Sequence, residues 1–464
     1  MKNIKKYFAC ILVASATFVS CEKQIFEEPY ANLSPTEIFK DPSRVEKAAV
    51  GMYDALQNAE YLGGRVLIYA DIRGIDCGNP TYFGDIPSFT ALNSSNGIVG
   101  LAWTAGYRTI NEANLFVKNI TANPGVVTAD KEKQFIAEAK FIRSLSYFYL
   151  VNLWAQPYGF TSGATHLGVP LVLTATDAPF APENQVPRNT VKEVYDQMIK
   201  DLEEAAVDLP NSGGTPSINN VGRATKGAAY GLLARINLYK KDYAKALEYA
   251  NKVEALKVYK LNASPLEGFD TYITPENIFS VAHNGGDNPN TNNALGQHYG
   301  PTQRADIQID PKYVALMSAT DLRRTELITE ANGAFWTAKY TKVSDWAPIL
   351  RYSEILLIKA EALANIASGV DANAIALVNQ VRTRSKATAV APASKSDLIA
   401  AILNERRIEL AFEGQGLFEF LRTGRNLPAH SVVPEYKWGN GRLVFPLPLN
   451  DIQRNPQLVQ NDGY

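Results

Sequence analysis

Histidines, cysteines and loop carboxylates are the groups with which this chain could do bond-making chemistry, and their spacing argues against it. His166, His283, His298 and His430 include no pair, with each other or with a cysteine, at zinc-ligand spacing. The run Asp287-Asn288-Pro289-Asn290-Thr291-Asn292 offers oxygen ligands of the calcium kind. It lacks the glycine and closing glutamate of an EF-hand loop and reads as a polar loop. No glycine-rich phosphate loop opens a helix, and no nucleophile elbow is present. Asp71 and Asp76 form a carboxylate pair of the sort that serves glycoside hydrolysis, a role that depends on their separation in space. Arg351, Glu361, Glu405, Arg406, Arg407 and Glu409 fall on helical segments, where they read as structural ion pairs. Neither a cofactor nor a metal is expected.

Cys21 is the one residue with a definite covalent fate. Lys2, Lys5 and Lys6 precede the uncharged, largely apolar run 7–19, and Ser20 puts a small side chain before the cysteine. This is the layout of a secretory signal, and the run is too short to span a bilayer. A cysteine at the first mature position resembles a bacterial lipoprotein cleavage site, although Phe18 stands where an aliphatic residue is usual. Acylation there would anchor the chain, each buried methylene contributing about 0.8 kcal/mol. Residues 1–20 are therefore expected to be removed and 21–33 to serve as a lipid-anchored tether. Removal takes three lysines and no acid, so the formal net charge goes from −1 to −4. With no basic cluster, nucleic acid is an improbable partner. Cys10 leaves with the signal and Cys21 carries lipid, which leaves Cys77 alone and the fold independent of intramolecular disulfides.

The elements that would position any site are mostly helical. Ser34, Pro35 and Glu37 have the order of a capping box, and Asp41-Pro42 starts a second helix with Val45, Ala49, Met52 and Leu56 on one face. Helical spacing returns at about 101–120 and 131–155. Thr190 and Glu193 cap a helix that runs to about Leu209. Segments 223–258 and 351–385 read as helical hairpins, followed by a helix from Ser396 to about Phe412. Two stretches break the pattern. Gly63-Gly64, Gly74, Gly78, Pro80, Gly84 and Pro87 make 60–100 read as a long loop, and 259–350 mixes short strand-like pieces with polar loops. The hairpins fit a tetratricopeptide-like template, with Ala234 and Ala246, and Ala362 and Ala374, each twelve apart where helices must approach closely.

The order of segments carries a family resemblance. Arg351-Tyr352-Ser353-Glu354-Ile355-Leu356-Leu357 running into Ala360-Glu361-Ala362, then Asn404-Glu405-Arg406-Arg407-Ile408-Glu409-Leu410-Ala411-Phe412-Glu413-Gly414, resemble two late signatures of the SusD/RagB family. Phe445-Pro446-Leu447-Pro448, Asn455-Pro456 and Gln460-Asn461-Asp462-Gly463-Tyr464 are similar to its ending. Ser34-Pro35, Gly51-Met52-Tyr53-Asp54-Ala55-Leu56 and Gly168-Val169-Pro170-Leu171 match its earlier parts. Gly416 and Leu417 depart from the arginine and aromatic residue expected there, which predicts a local packing difference. The resemblance implies a mostly α, SusD-like body over 34–464, a tetratricopeptide-like helical-pair scaffold with loop-rich insertions at about 60–100 and 259–350 and a few short strands.

It also implies a non-catalytic, outer-membrane, surface-facing lipoprotein that captures a glycan and passes it to a SusC-like TonB-dependent transporter. A peptide-capturing member of the family and a helical-repeat scaffold for protein partners are the alternatives. Sugar recognition needs flat aromatic faces plus amides, carboxylates or guanidiniums for the hydroxyls. Within the two insertions, Asp71, Asp76, Tyr82, Phe83, Asn288, Tyr299, Arg304 and Trp336 are the expected ligand residues, with Arg73 and Asn284 beside them. Trp103, Trp154, Trp346 and Trp438 are expected to be structural.

Overall fold

The computed structural model describes residues 35–78, 80–176, 181, 184–212, 215–431 and 433–464. Cys21, the signal segment 1–20, the tether 21–33 and the Ser34 cap lie outside the described residues. The longer helices are α1 (Pro42–Leu56), α2 (Arg65–Ile72), α3 (Gly97–Ala122), α4 (Ala129–Trp154), α5 (Val191–Asp208), α6 (Lys226–Tyr239), α7 (Tyr243–Ala255), α8 (Tyr352–Ile366), α9 (Ala372–Arg384), α10 (Lys395–Glu409) and α11 (Gly416–Thr423). Their starts follow local chemistry. The Asp41 carboxylate accepts from the Ser43 and Arg44 N–H groups at the head of α1. Thr190 and Glu193 close the expected reciprocal box at the head of α5. Asp242 and Asp371 cap α7 and α9 by accepting from the Lys245 and Ala374 N–H groups.

These helices pack in sequence order, α3 on α4, α4 on α5, α6 on α7, α7 on α8 and α8 on α9 and α10. Ala234, Ala246, Ala362 and Ala374 are all fully buried. A larger side chain at any of them would push paired axes apart, which is why the spacing was readable. Two small antiparallel sheets interrupt the helices. In one, β1 (Asn277–Val281) pairs with β4 (Ala347–Arg351), Asn277 facing Arg351 and Val281 facing Ala347. In the other, β2 (Ile328–Ala331) and β3 (Ala334–Thr337) form a hairpin whose two-residue turn, Asn332-Gly333, has positive φ at both positions. None of the described helices is long and apolar enough to cross a membrane.

The segment 60–100 departs from its expected form, because α2 lies inside it with every residue buried. Gly63 and Gly64 admit this helix. A Cβ on Gly63 would sit 2.1 Å from the Gln57 carbonyl oxygen, and one on Gly64 would sit 2.1 Å from that of Asn293. The sequence Arg-Val-Leu-Ile-Tyr-Ala-Asp-Ile is apolar almost all round, so it shows no amphipathic period.

The late signatures serve packing. Arg351 is buried and donates to Glu413 (2.7 and 2.8 Å), to Glu276 (2.7 Å) and to Glu409 (3.2 Å). Arg323 joins Asp321, Glu405 and Glu409. Arg235 pairs with Glu354, Arg422 with Glu361 and Glu419, and Arg406 with Glu419. One carboxylate thus meets several guanidiniums, tying α6, α8, α10 and α11 together. Gly416 and Leu417, where the family resemblance lapses, both sit in tight packing. A Cβ on Gly416 would lie 3.2 Å from the Asp71 Cα, so the glycine lets the start of α11 touch α2. Leu417 fills a small apolar cluster with Phe89, Phe420 and Leu427.

Candidate functional site

Where the two insertions meet, the structure builds an aromatic and cationic cluster. The turn Thr81–Phe83 carries Tyr82 and Phe83 side by side, their rings 5.1 Å apart and nearly perpendicular. Phe83 is buried, whereas Tyr82 keeps 40 % of its surface exposed. A one-turn helix, Leu295–Tyr299, brings the His298 ring to 5.1 Å from Tyr82 and 4.9 Å from Phe83. The Arg304 guanidinium lies 4.1 Å from the centre of the Tyr82 ring, inside cation–π range. Asp306 orders this arrangement by accepting from Arg304 Nε at 2.9 Å and facing His298 Nδ1 at 2.8 Å. Asn292 completes it, its side-chain oxygen accepting from Arg304 Nη1 and its carbonyl facing His298 Nε2. Burial lowers the His298 pKa, opposed by the Asn292 carbonyl, and Arg65 lowers it further.

Arg65, the first residue of α2, supports the cluster from beneath. Its guanidinium is 5.5 Å from the Tyr82 ring centre and 5.3 Å from that of Phe83, and Nη2 donates to the Tyr82 hydroxyl at 3.4 Å. The structure therefore brings Tyr82, Phe83 and Arg304 together, with Tyr82 and Arg304 exposed and Phe83 buried. Arg65, His298, Asn292 and Asp306 were not anticipated. The glycine pair before Arg65 and the Arg-Ala-Asp spacing at 304–306 were the available signals.

The other expected ligand residues sit elsewhere, and the reason is burial or prior engagement. The buried Asp71 carboxylate accepts from the Gly414, Gln415 and Gly416 N–H groups at 2.8, 3.1 and 3.1 Å, and from the Tyr299 hydroxyl at 3.2 Å. Asp71 and Tyr299 thereby fasten the turn after α10 onto α2, and neither has surface to offer a ligand. Burial pushes the Asp71 carboxyl up to about 7, against the pull of those donors. Asp76 is gripped by Arg407 Nε and Nη2, so the Asp71 and Asp76 pair is not an open hydrolytic pair. Trp336 is buried on β3 and donates to the Ala331 carbonyl. Asn288 is half-buried, and its amide donates to the Asn284 and Gly285 carbonyls, which closes its own loop. Arg73 lies between the rings of Phe89 and Phe445.

Trp103 and Trp154 are core residues, 5.4 Å apart. Trp346 stacks on Tyr272 and donates to the His283 carbonyl, while Trp438 donates to that of Leu421. Cys77 is buried, and burial pushes its thiol up. A separate recess of about 460 Å³ is lined by Tyr53, Gln57, Ile218, Phe279 and Trp346. Among the described residues no group of three or more His, Cys, Asp or Glu side chains is arranged to hold a metal.

A helical-pair body thus presents the exposed Tyr82 ring among guanidiniums and an amide. Comparison with known proteins places the chain in a family. Residues 81–238 match the family model described as "Starch-binding associating with outer membrane", and residues 279–464 match the one described as "SusD family". A SusD superfamily protein of Bacteroides fragilis is 28 % identical and superposes with a TM-score of 0.80, over 91 % of this chain and 99 % of that one. A putative sugar binding protein of Bacteroides vulgatus has the same fold at 23 % identity, with a TM-score of 0.80 over 92 % of this chain and 99 % of that one. SusD-like protein P2 of Formosa agariphila is 25 % identical, covering 99 % of this chain and 100 % of the relative. The chain belongs to the SusD/RagB family. At family level the match is to SusD-like proteins of glycan binding and uptake, and the scaffold is the mostly helical, helix-paired one of that family.

Proposed function

We propose that this protein is a surface-exposed, non-catalytic glycan-capture lipoprotein, anchored through Cys21, that delivers oligo- or polysaccharide to a SusC-like TonB-dependent outer-membrane transporter. The observation that carries the reading is Tyr82, a half-open ring at the junction of the two insertions with Arg304 and Asn292 beside it. Such a ring takes the apolar face of a pyranose, and the amide and guanidinium take hydroxyls. One aromatic platform is worth about 1–3 kcal/mol by analogy with base stacking. With a few partly wet hydrogen bonds, that corresponds to a Kd on the order of micromolar to millimolar. Weak, reversible capture suits hand-over to a channel.

Asp71, Asp76, Tyr299 and Trp336 are engaged within the scaffold, while Asn288 closes its own loop. Isothermal titration against a panel of polysaccharides, with Tyr82→Ala as control, tests the reading. Heat from at least one glycan, weakened in the variant, is expected. Tight peptide binding with no glycan response would refute it.

A further inference from the structure

Arg65 has no counter-charge among the described residues. It is only 6 % exposed, its Nε has no hydrogen-bond partner, and its bond to the Tyr82 hydroxyl is long at 3.4 Å. Arg235, Arg323, Arg351, Arg406 and Arg422, buried in the scaffold, each hold at least one carboxylate. Among the described residues no carboxylate lies within ion-pair distance of Arg65. Arg73 shares this lack, but it is sealed between Phe89 and Phe445 and donates to the Arg442 carbonyl, out of reach of any ligand. Arg65 instead lies against Tyr82, the exposed ring.

A second guanidinium, Arg304, flanks the same ring, and its one carboxylate partner, Asp306, is shared with His298. Guanidinium stays protonated in proteins. Within the cluster two arginines meet one carboxylate, an excess of positive charge even with His298 neutral; the neighbouring acid, Glu60, is engaged by the Asn293 amide. An uncompensated buried cation is costly, and a charge brought by the ligand would relieve that cost.

Resting on the glycan reading above, we propose that the ligand is an anionic glycan, one bearing carboxylate or sulfate-ester groups. Its ring lies on Tyr82 while a charged oxygen pairs with Arg65 and Arg304. Both anions present the acceptor geometry that the guanidinium fork matches. A neutral glycan would stack on Tyr82 and leave Arg65 as unpaired as before.

The test is isothermal titration of the full chain with two matched pairs. One pair is polygalacturonate oligosaccharides and their carboxyl-reduced, neutral counterparts; the other is sulfated galactan oligosaccharides and their desulfated counterparts. At least one charged member should bind about tenfold or more tightly than its neutral twin at low salt, and added salt should shrink the ratio. Which pair shows the preference tells carboxylate from sulfate. Arg65→Gln should bring the ratio to about twofold or less. Arg304→Gln should do the same, and its more exposed position keeps the test valid if Arg65→Gln does not fold. Equal affinity within both pairs, or a preference that survives in both variants, overturns the charge assignment while the glycan reading stands. Silence with every glycan overturns both.

Discussion

The scaffold and the insertion cluster both bury arginine, but they pair it differently. In the scaffold Arg351, Arg323, Arg384, Arg406 and Arg422 share Glu276, Glu405, Glu409, Glu413 and Glu419 so that guanidiniums and carboxylates answer each other across β4, α9, α10 and α11. Around Tyr82 the pairing stops short, with Arg65 unanswered and Arg304 dividing Asp306 with His298. A closed network fixes a geometry and leaves nothing for a ligand to satisfy. An open one, beside a half-exposed ring, has a place for a partner. Charge-bearing residues alone therefore do not mark a site in this fold; what sets the Tyr82 cluster apart is an unanswered charge beside an exposed ring.

Breaking the closed network should have the largest effect. Arg351→Met strands Glu276, Glu409 and Glu413 without their shared cation, and a loss of about 3–5 kcal/mol in chemical denaturation is expected. Ligand affinity, measured on whatever fraction folds, should not identify Arg351 as a contact.

The same network makes the fold acid-sensitive. Burial pushes the carboxyls of Glu409, Glu413 and Glu419 up, but the surrounding guanidiniums, with Lys339, hold them below the ordinary glutamate range. Groups with depressed folded pKa values contribute stability above their unfolded pKa of about 4.3 and lose it as pH falls through the folded values. Denaturation midpoints should thus hold steady toward neutral pH and drop below about pH 4. A midpoint that rises on acidification would contradict this charge assignment.

Tyr82→Ala reverses the pattern. Glycan affinity should fall by about 1–3 kcal/mol by titration. Unfolding midpoints should barely move, because the ring is largely outside the core. Loss of stability without loss of affinity would make Tyr82 a packing residue and erase the contrast between the two regions.

Arg407 lies between the extremes. It grips Asp76 with two nitrogens, yet both side chains remain partly wet. Arg407→Gln should cost about 1 kcal/mol, less than any scaffold arginine, because solvent screens the pair. A cost as large as that of Arg351→Met would place the Asp76 loop within the closed network.

Much of the scaffold was legible in local chemistry. Asp41, Thr190 and Glu193 cap where their types and spacing say they should, and the twelve-residue alanine spacing marks the helix pairs. Helix α2 was not legible, since its apolar run between glycines has the composition of a buried strand or loop as much as of a helix. The Asn332-Gly333 turn is legible locally, since Asn-Gly between strand-like runs is a strong short-range hairpin signal. Of the expected ligand residues, Tyr82, Phe83 and Arg304 are gathered in one cluster, and side-chain type gave no warning of burial for Asp71, Phe83, Tyr299 and Trp336.

By itself the amino-acid sequence determined the helix starts, the repeat pairs, the order of family signatures and the two insertions, all of which depend on neighbours within a turn or two or on the order of motifs. Only the tertiary structure decided which insertion residues stay open. Asp71 is closed off by backbone N–H groups 343–345 positions away, and by Tyr299, 228 positions away. Tyr82 meets Arg304 only because α2 and the loop around 293 press together through Gly64. Such contacts form when distant backbones pack without room for a Cβ, and no local spacing records them.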